Sequence, residues 1–574
     1  MRYPFLSPQT QHQETVDVFL GYNRNLRIGP GEFYDMKNLS SDCFPVLSPR
    51  RRRSEYVRDP NLRGIISKER LCYVSGSDFV IGEERYPMDL SDSEKQLISM
   101  GAYVIILPDK CYINTAHPED RGSMEAAVTA SQVKLTLCSA EGEDYTPSVG
   151  TSAPEAPALQ QLWLDTGEET LRLKRYGVSG WVDISPTYVK FSAPGLGSAF
   201  REGDGIRIRG IRTKPFDSFN AVHTLQAVGE GYVVIPGILE NSQTLTESVT
   251  LERRMPEMDF VTESGNRLWG CRYGFREDGQ QVNEIYACKL GDFRNWNCFQ
   301  GLSTDSYAAS CGTDGPFTGA VTFLDGPIFF KENCMHRVFG SFPANFRILT
   351  ATCRGVRKGS HNSLAVVGQS LYYQSPGGIC VYDGSQPVEI SAPLGSTRYR
   401  DASAGAVGNK YYISMADEEG GYHLFVYDTA RNLWHKEDDL KVSAFTSFSG
   451  QLYALEQGSG RILALLGSQG AEEAPFRWMA ETGEIGITSP DMKYISRLTV
   501  RLSLDVGTEV RFYARYDFSE EWEPLFALRS SSLRSFSIPI KTRRCDFMKV
   551  RIEGDGGARI YSLTKTIEEG SDIS

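Results

Sequence analysis

Gly326-Pro-Ile-Phe-Phe, Gly368-Gln-Ser-Leu-Tyr-Tyr, Gly408-Asn-Lys-Tyr-Tyr-Ile and Gly450-Gln-Leu-Tyr-Ala-Leu repeat one pattern, a glycine followed by a short run of large apolar residues, at steps of 42, 40 and 42 residues. A period of about 40 to 50 residues is the size of a four-stranded propeller blade. Gly265-Asn-Arg-Leu-Trp-Gly lies upstream, with fainter echoes at Arg70-Leu-Cys-Tyr-Val and Gly101-Ala-Tyr-Val-Ile-Ile. Six or seven blades are expected. A second element follows within the repeats, Ile379-Cys-Val-Tyr-Asp383 and Leu424-Phe-Val-Tyr-Asp428, and less cleanly Glu284-Ile-Tyr-Ala ahead of Asp292. It reads as a strand ending in a turn whose Asp side chain accepts backbone N–H groups. Trp434 and Trp296 follow, bulky enough to fill space between blades.

The rest of the chain is also strand-like. Val133, Leu135 and Leu137, then Ile206 and Ile208, then Leu498, Val500, Leu502 and Leu504 alternate with polar or small partners, as half-buried strands do. Ser91 to Met100 is the exception: Ser91 and Glu94 have capping-box spacing and Gly101 sits where a C-cap would, so a short helix is expected there. The repeat stops between about Gly122 and Pro256, where short strands with their own Trp163 and Trp181 predict an inserted β-barrel or sandwich module. It stops again after Gly467, where alternation predicts a β-sandwich-like module. The fold class is therefore all-β, a propeller body with two added β-modules. The expected division is 1–61 an N-terminal extended segment, 62–121 the first blades, 122–256 the insertion, 257–467 the remaining blades and 468–574 the C-terminal module.

With 574 residues, 40% hydrophobic and 23% charged, the chain has the composition of a folded protein and not of a disordered one. A formal charge of −11 argues against a wholly basic nucleic-acid clamp. No apolar run reaches the roughly 18 residues a spanning helix needs. The polar residues in Met1 to Glu14 do not read as a signal peptide, so synthesis in a cytosol is expected. Twelve cysteines without a CxxC pair read as reduced, mostly buried small hydrophobes.

The sequence lacks the motifs that carry familiar chemistry. G-x-x-x-x-G-K-[ST], G-x-G-x-x-G, H-E-x-x-H and G-x-S-x-G do not occur. Only His423 and His435 flank one predicted turn, and Asp438-Asp439 and Glu520-Glu521 read as solvated carboxylates and not as glycosidase pairs. No catalytic residue, cofactor or metal site is expected, and the chain is expected not to be an enzyme. The one strong charge run is Arg50-Arg51-Arg52-Arg53, which reads as extended and exposed, suited to phosphates or an acidic protein surface, or as a solvated edge. Residues 1–63 carry ten Lys/Arg against seven Asp/Glu, a balance of +3 that leaves −14 for the remainder.

Val18-Phe-Leu-Gly-Tyr-Asn-Arg-Asn25, Gly31-Glu-Phe-Tyr-Asp-Met-Lys-Asn-Leu-Ser-Ser41 and Phe44-Pro-Val-Leu-Ser-Pro-Arg50 resemble the N-terminus of the tailed-phage packaged-DNA stabilisation proteins, the tail hub or nozzle family. Met258 to Glu263, Asn266 to Trp269, Phe329 to Asn333, Gly355 to Gly359 and Arg559 to Gly570 are similar in type and order. The resemblance covers both ends and most of the repeats, and the insertion least. It implies a structural virion protein of the tail, a homo-oligomeric ring with six subunits as the expected number, lying below the portal and its adaptor. Such a ring extends or closes the channel and retains packaged DNA, which passes through the lumen without specific binding; fibres or a plug are further implied partners. Arg50 to Arg53 are then the candidate portal or adaptor contact. Two other classes stay open: a kelch-like propeller acting as a monomeric protein-binding adaptor, and a virion glycosidase or depolymerase, although the Asp-box S-x-D-x-G-x-T-W is missing.

Overall fold

The repeated glycines are hairpin turns. Gly368, Gly408 and Gly450 have φ of +60°, +57° and +75°, and each lies between two strands whose flanking residues pair directly: Val367 with Ser370, Val407 with Lys410, Phe448 with Gln451. A Cβ at any of the three would meet nothing within 4 Å, so the requirement is left-handed backbone and not space. Gly326 is displaced by two positions: Leu324 and Asp325 take the left-handed turn and Gly326 opens the next strand. Tyr372, Tyr412 and Tyr453 hold the same place in their hairpins, third in the second strand, opposite Ala365, Gly405 and Thr446.

In this computed structural model, residues 11–276, 279–467, 470–488, 492–529 and 532–569 are described; positions 1–10 and Gly570, which the sequence reading included, lie outside them. The fold is all-β apart from a few single 3-10 turns. Among the described residues, six four-stranded antiparallel sheets run in chain order from first strand to fourth. They start at Leu62–Ser67, Gln96–Met100, Phe260–Ser264, Gly319–Phe323, Ala365–Val367 and Arg400–Val407. A seventh, Val442–Phe448, Gln451–Glu456 and Arg461–Ala464, takes its fourth strand from Ser54–Arg58, beyond which Ala471–Glu472 pairs. This is the sheet type of β-propellers.

The chain forms two compact units, one of residues 1–95, 330–335 and 351–574, the other of 96–329 and 336–350. Within the first, Ala365–Val367 packs on Arg400–Val407, which packs on Val442–Phe448, which packs on Leu62–Ser67. Within the second, Gln96–Met100 packs on Phe260–Ser264, and that on Gly319–Phe323. Opening strands therefore meet opening strands. The crowding explains their small residues: a Cβ on Gly405 would sit 2.4 Å from the Phe445 Cβ.

The helix expected at Ser91 to Met100 is not formed. Gln96–Met100 is a strand paired with Tyr103–Leu107, and Gly101, at φ +55°, is the hairpin turn and not a helix cap. The local capping signal loses to a ladder that buries Ile98 and Met100.

The insertion comprises Ala126–Ala130 through Val249–Arg253, whose two end strands pair with each other, Ala126 opposite Arg253. Three sheets enclose a core that includes Leu135, Leu164, Leu173, Phe191, Ile206, Val233 and Leu251. Asp204 joins it to the rest of its unit, pairing with Arg253 and accepting from Asn295 Nδ2 at 2.9 Å, while Gly205 N–H donates to Asn295 Oδ1 at 3.0 Å. Excising 126–253 with a short linker should leave a soluble chain, because the ends are already adjacent. Insoluble product after refolding trials would instead make the module part of the surrounding core.

The C-terminal module is a pair of sheets, and the N-terminal segment is built into both instead of extending free. Gln11–Val16 pairs along Ala558–Glu569, which pairs on its other side with Lys493–Leu504. Gly21–Tyr22 and Glu32–Lys37 join the sheet of Arg477–Thr482, Met548–Asp555 and Glu509–Tyr516. Phe33, Met36, Trp478, Leu498, Val500 and Ile552 share its core. The strands supply edge pairing that the module would otherwise lack. All twelve cysteines are free thiols, eight of them buried.

Candidate functional site

The arginine run lies where the chain leaves the short strand Ser48–Pro49 and enters the closing strand Ser54–Arg58. It divides. Arg51 and Arg52 point outward, with side chains 63% and 47% exposed and only loose pairs to Asp42 at 3.3 Å and Glu472 at 4.0 Å. Arg50 and Arg53, expected to be exposed, are buried. Arg50 grips Glu473 through both terminal nitrogens at 2.7 and 2.9 Å, donates from Nε to Asn38 Oδ1 at 2.8 Å and lies 4.1 Å over the Phe476 ring. Arg53 donates to Asp438 at 2.7 and 3.1 Å and to Glu437 at 2.8 Å. The correction has a plain cause: carboxylates some 384 to 423 residues away in sequence supply the counter-charge that permits burial. Asp438, expected to be solvated, is one of these; Asp439 is exposed and lies 3.1 Å from Lys37 and 3.4 Å from His423 Nδ1. Glu520 and Glu521 are exposed.

The electrostatics follow. Burial works against the charged forms of Asp438 and Glu473, but Arg53 beside the first and Arg50 beside the second hold both below the usual carboxylate range. Burial likewise opposes the Arg53 charge, and Asp438 and Glu437 more than offset it, raising its pKa. The cluster, two guanidinium groups among three carboxylates, is thus a charge-paired junction between the closing strand, the Leu433–Lys436 strand's exit and the segment leading to Arg477–Thr482. Its chemistry is cohesion, with Arg51 and Arg52 exposed beside it.

Three further groups lie nearby, Asp428 and His435 buried and Lys410 partly so, and sequence reasoning missed their partners. Asp428, noted for its turn, accepts from the Ser41 hydroxyl at 2.6 Å and from Ala430 N–H at 3.1 Å. Lys410 pairs with Asp42. His435 is 4% exposed, and burial, reinforced by Lys410, lowers its pKa to about 3. His423 instead bonds Asp417 at 2.8 Å, so the two histidines do not converge. Because the folded His435 pKa is depressed, its stability contribution is present above the unfolded value of about 6.5 and is lost as pH falls towards 3. Between pH 6.5 and 5, wild type should lose about 2 kcal/mol more than His435→Gln. Urea titrations at the two pH values check this, and an equal loss of stability in the two proteins would refute it.

Among the described residues no group of three or more His, Cys, Asp or Glu stands where it could hold a metal ion, and no helix is long and apolar enough to cross a membrane.

No protein-family model matches the chain, and no curated protein does. Solved structures similar to it include an exo-β-1,3-galactanase of Phanerochaete chrysosporium, at 8% identity over 53% of this chain and 94% of that one, with a TM-score of 0.21. A GH43 glycoside hydrolase with endo-xylanase and exo-arabinofuranosidase activity matches at 8% identity over 54% and 96%, TM-score 0.20. A Trypanosoma rangeli sialidase matches at 7% over 89% and 95%, TM-score 0.21. The expectation that the chain is not an enzyme is corrected by this comparison, since these similar structures are glycoside hydrolases. At such identities and TM-scores the likeness assigns no substrate and no catalytic residue.

Proposed function

We propose that this chain is a structural component of a phage tail, a hub or nozzle that assembles as a ring, six-fold in the expected form, beneath a portal and adaptor. In this reading the seven sheets are seven blades, the last closed by Ser54–Arg58. The observation that carries the proposal is the meeting of the two ends that bear the resemblance. Residues 18–50 and 559–569 are over 500 positions apart, yet Leu47 pairs with Ile560, and Val16, just ahead of the first segment, pairs with Leu563. One N-terminal segment thereby adds strands to both sheets of the C-terminal module and to the last four-stranded sheet. Tension on any of these is shared across several hydrogen-bond ladders, which suits a part that holds pressurised DNA. The outward Arg51 and Arg52 are the portal or adaptor contact in this reading.

The decisive measurement is the mass of the protein in isolated particles and in solution. A ring supports the proposal, and a monomer in mature particles would end it. Arg51→Ser with Arg52→Ser should weaken docking to the portal complex and leave the melting temperature within about 2 °C, because exposed charges contribute little to stability. Unchanged docking would remove these two residues from the interface. A virion-borne glycoside hydrolase is the second reading, prompted by the similar structures named above. Release of new reducing ends from capsular or cell-wall polysaccharide by the purified protein would favour it.

A further inference from the structure

The smallest sheet of the inserted module has two unlike faces. Leu164 and Leu173 turn one face into the module's core. On the other face, the ladder of Leu162–Asp165, Arg172–Gly177 and Gly180–Asp183 sets Trp163 opposite Lys174 and Tyr176 opposite Trp181. Alternation puts all four side chains on the same side. The three rings form one assembly: Trp163 and Trp181 have centroids 5.4 Å apart at 65°, and Tyr176 and Trp181 are 5.2 Å apart at 60°. Trp163 is its buried floor, held by a bond from its indole N–H to the Gly150 carbonyl at 3.0 Å and by Lys174 Nζ at 4.9 Å from its centroid. Trp181 and Tyr176 are only half-buried. Among the described residues, neither the Trp181 indole N–H nor the Tyr176 hydroxyl has a hydrogen-bond partner.

Charges frame the rings in fixed pairs. Lys174 bonds Asp165 at 2.8 Å, and Arg172 lies 2.9 Å from Glu168 and 3.6 Å from Asp183. Three partner classes can be weighed against this surface. A nucleic acid or other polyanion would bring phosphates or sulfates to a face where carboxylates outnumber cations. An apolar peptide would bury the paired charges without replacing their water. A sugar fits both features, since its C–H face lies on an aromatic ring while its hydroxyls bond the carboxylates, the guanidinium and the two unpartnered donors.

We propose that this face binds a strand of neutral polysaccharide, with Trp181 and Tyr176 as stacking platform and Asp183 and Arg172 as hydroxyl partners. The site is independent of the tail reading and of any hydrolysis. The test is affinity electrophoresis of the full 574-residue chain in gels containing xylan, mixed-linkage β-glucan, galactan or dextran, with heparin as the anionic comparison. At least one neutral glycan should retard the wild type. Trp181→Ala and Tyr176→Ser should each weaken that retardation by roughly tenfold, the scale of losing one stacked ring. Trp181→Phe should keep most of it, and Val506→Ser, in the C-terminal module, all of it. If Trp181→Ala does not fold, Tyr176→Ser and Asp183→Asn read the same face. No retardation by any of the four neutral glycans, retardation unaltered by the ring variants, or stronger retention by heparin would each overturn the proposal.

Discussion

Replacing Arg53 with alanine should destabilise the protein by about 3–5 kcal/mol, the range found when one partner of a buried ion pair is removed. The side chain is 4% exposed, and the carboxylates it leaves behind, Glu437 and Asp438, are 7% and 19% exposed. Water cannot readily reach Glu437 to replace the lost bonds, and Arg50, whose short bonds go to Glu473, reaches Asp438 only at 3.4 Å and Glu437 only at 3.9 Å. The denaturant midpoint at pH 7 reads the effect. Arg51→Ala, two residues away but exposed, should change stability by under about 0.5 kcal/mol. Combining Arg53→Met with Glu437→Gln and Asp438→Asn should recover much of the loss, since no uncompensated charge then remains. A single-variant loss below about 1 kcal/mol would show that the cluster is hydrated and not a dry junction. Acid should weaken the same junction: the depressed pKa values of Asp438 and Glu473 mean that its contribution is present above the ordinary carboxylate range and lost as pH falls through the folded values.

Trp434→Ala should cost a similar amount, about 3–5 kcal/mol, through cavity formation in the largest core of the first unit. Trp434 is 1% exposed. Its ring lies 4.9 Å from Tyr427 and edge-on to Phe425 at 6.4 Å, and its indole N–H donates to the Ile390 carbonyl at 2.9 Å. That bond joins the sheet beginning at Arg400–Val407 to the loop after the preceding sheet. Trp434→Phe keeps most of the buried area but leaves the Ile390 carbonyl without its donor, so about 1–3 kcal/mol should be lost, less than for alanine. Thermal melts of the two variants give the order. A phenylalanine variant as damaged as the alanine one would assign the effect to the hydrogen bond and not to packing.

Trp434 is visible in the sequence because it recurs as a bulky residue after a strand-ending Asp, as Trp296 does after Asp292, although the steps of six and four residues differ. The same holds for Gly368, Gly408 and Gly450, whose left-handed φ is a property of two or three residues and so leaves a local mark. Leu498, Val500, Leu502 and Leu504 are legible for the same reason, since a sheet face needs every second residue. The Ser91 to Glu94 capping signal is equally local, yet it misleads, because pairing of Gln96–Met100 with the next strand buries more than a two-turn helix would. The aromatic face of the insertion is intermediate. Trp163 and Trp181 could be picked out as the module's own tryptophans, but that they share one side of a sheet with Tyr176 depends on strand register.

The sequence by itself determined the all-β class and the hairpin turns of the repeat, since each is written in the spacing of neighbouring residues. Only the tertiary structure decided that Gln11–Val16 lies along Ala558–Glu569, that Ser54–Arg58 completes a sheet begun at Val442, and that a run of four arginines splits into two buried and two exposed. Those outcomes rest on partners hundreds of residues away. A strand edge or a buried charge is satisfied by whatever the completed fold places beside it, and no local pattern records which residue that will be.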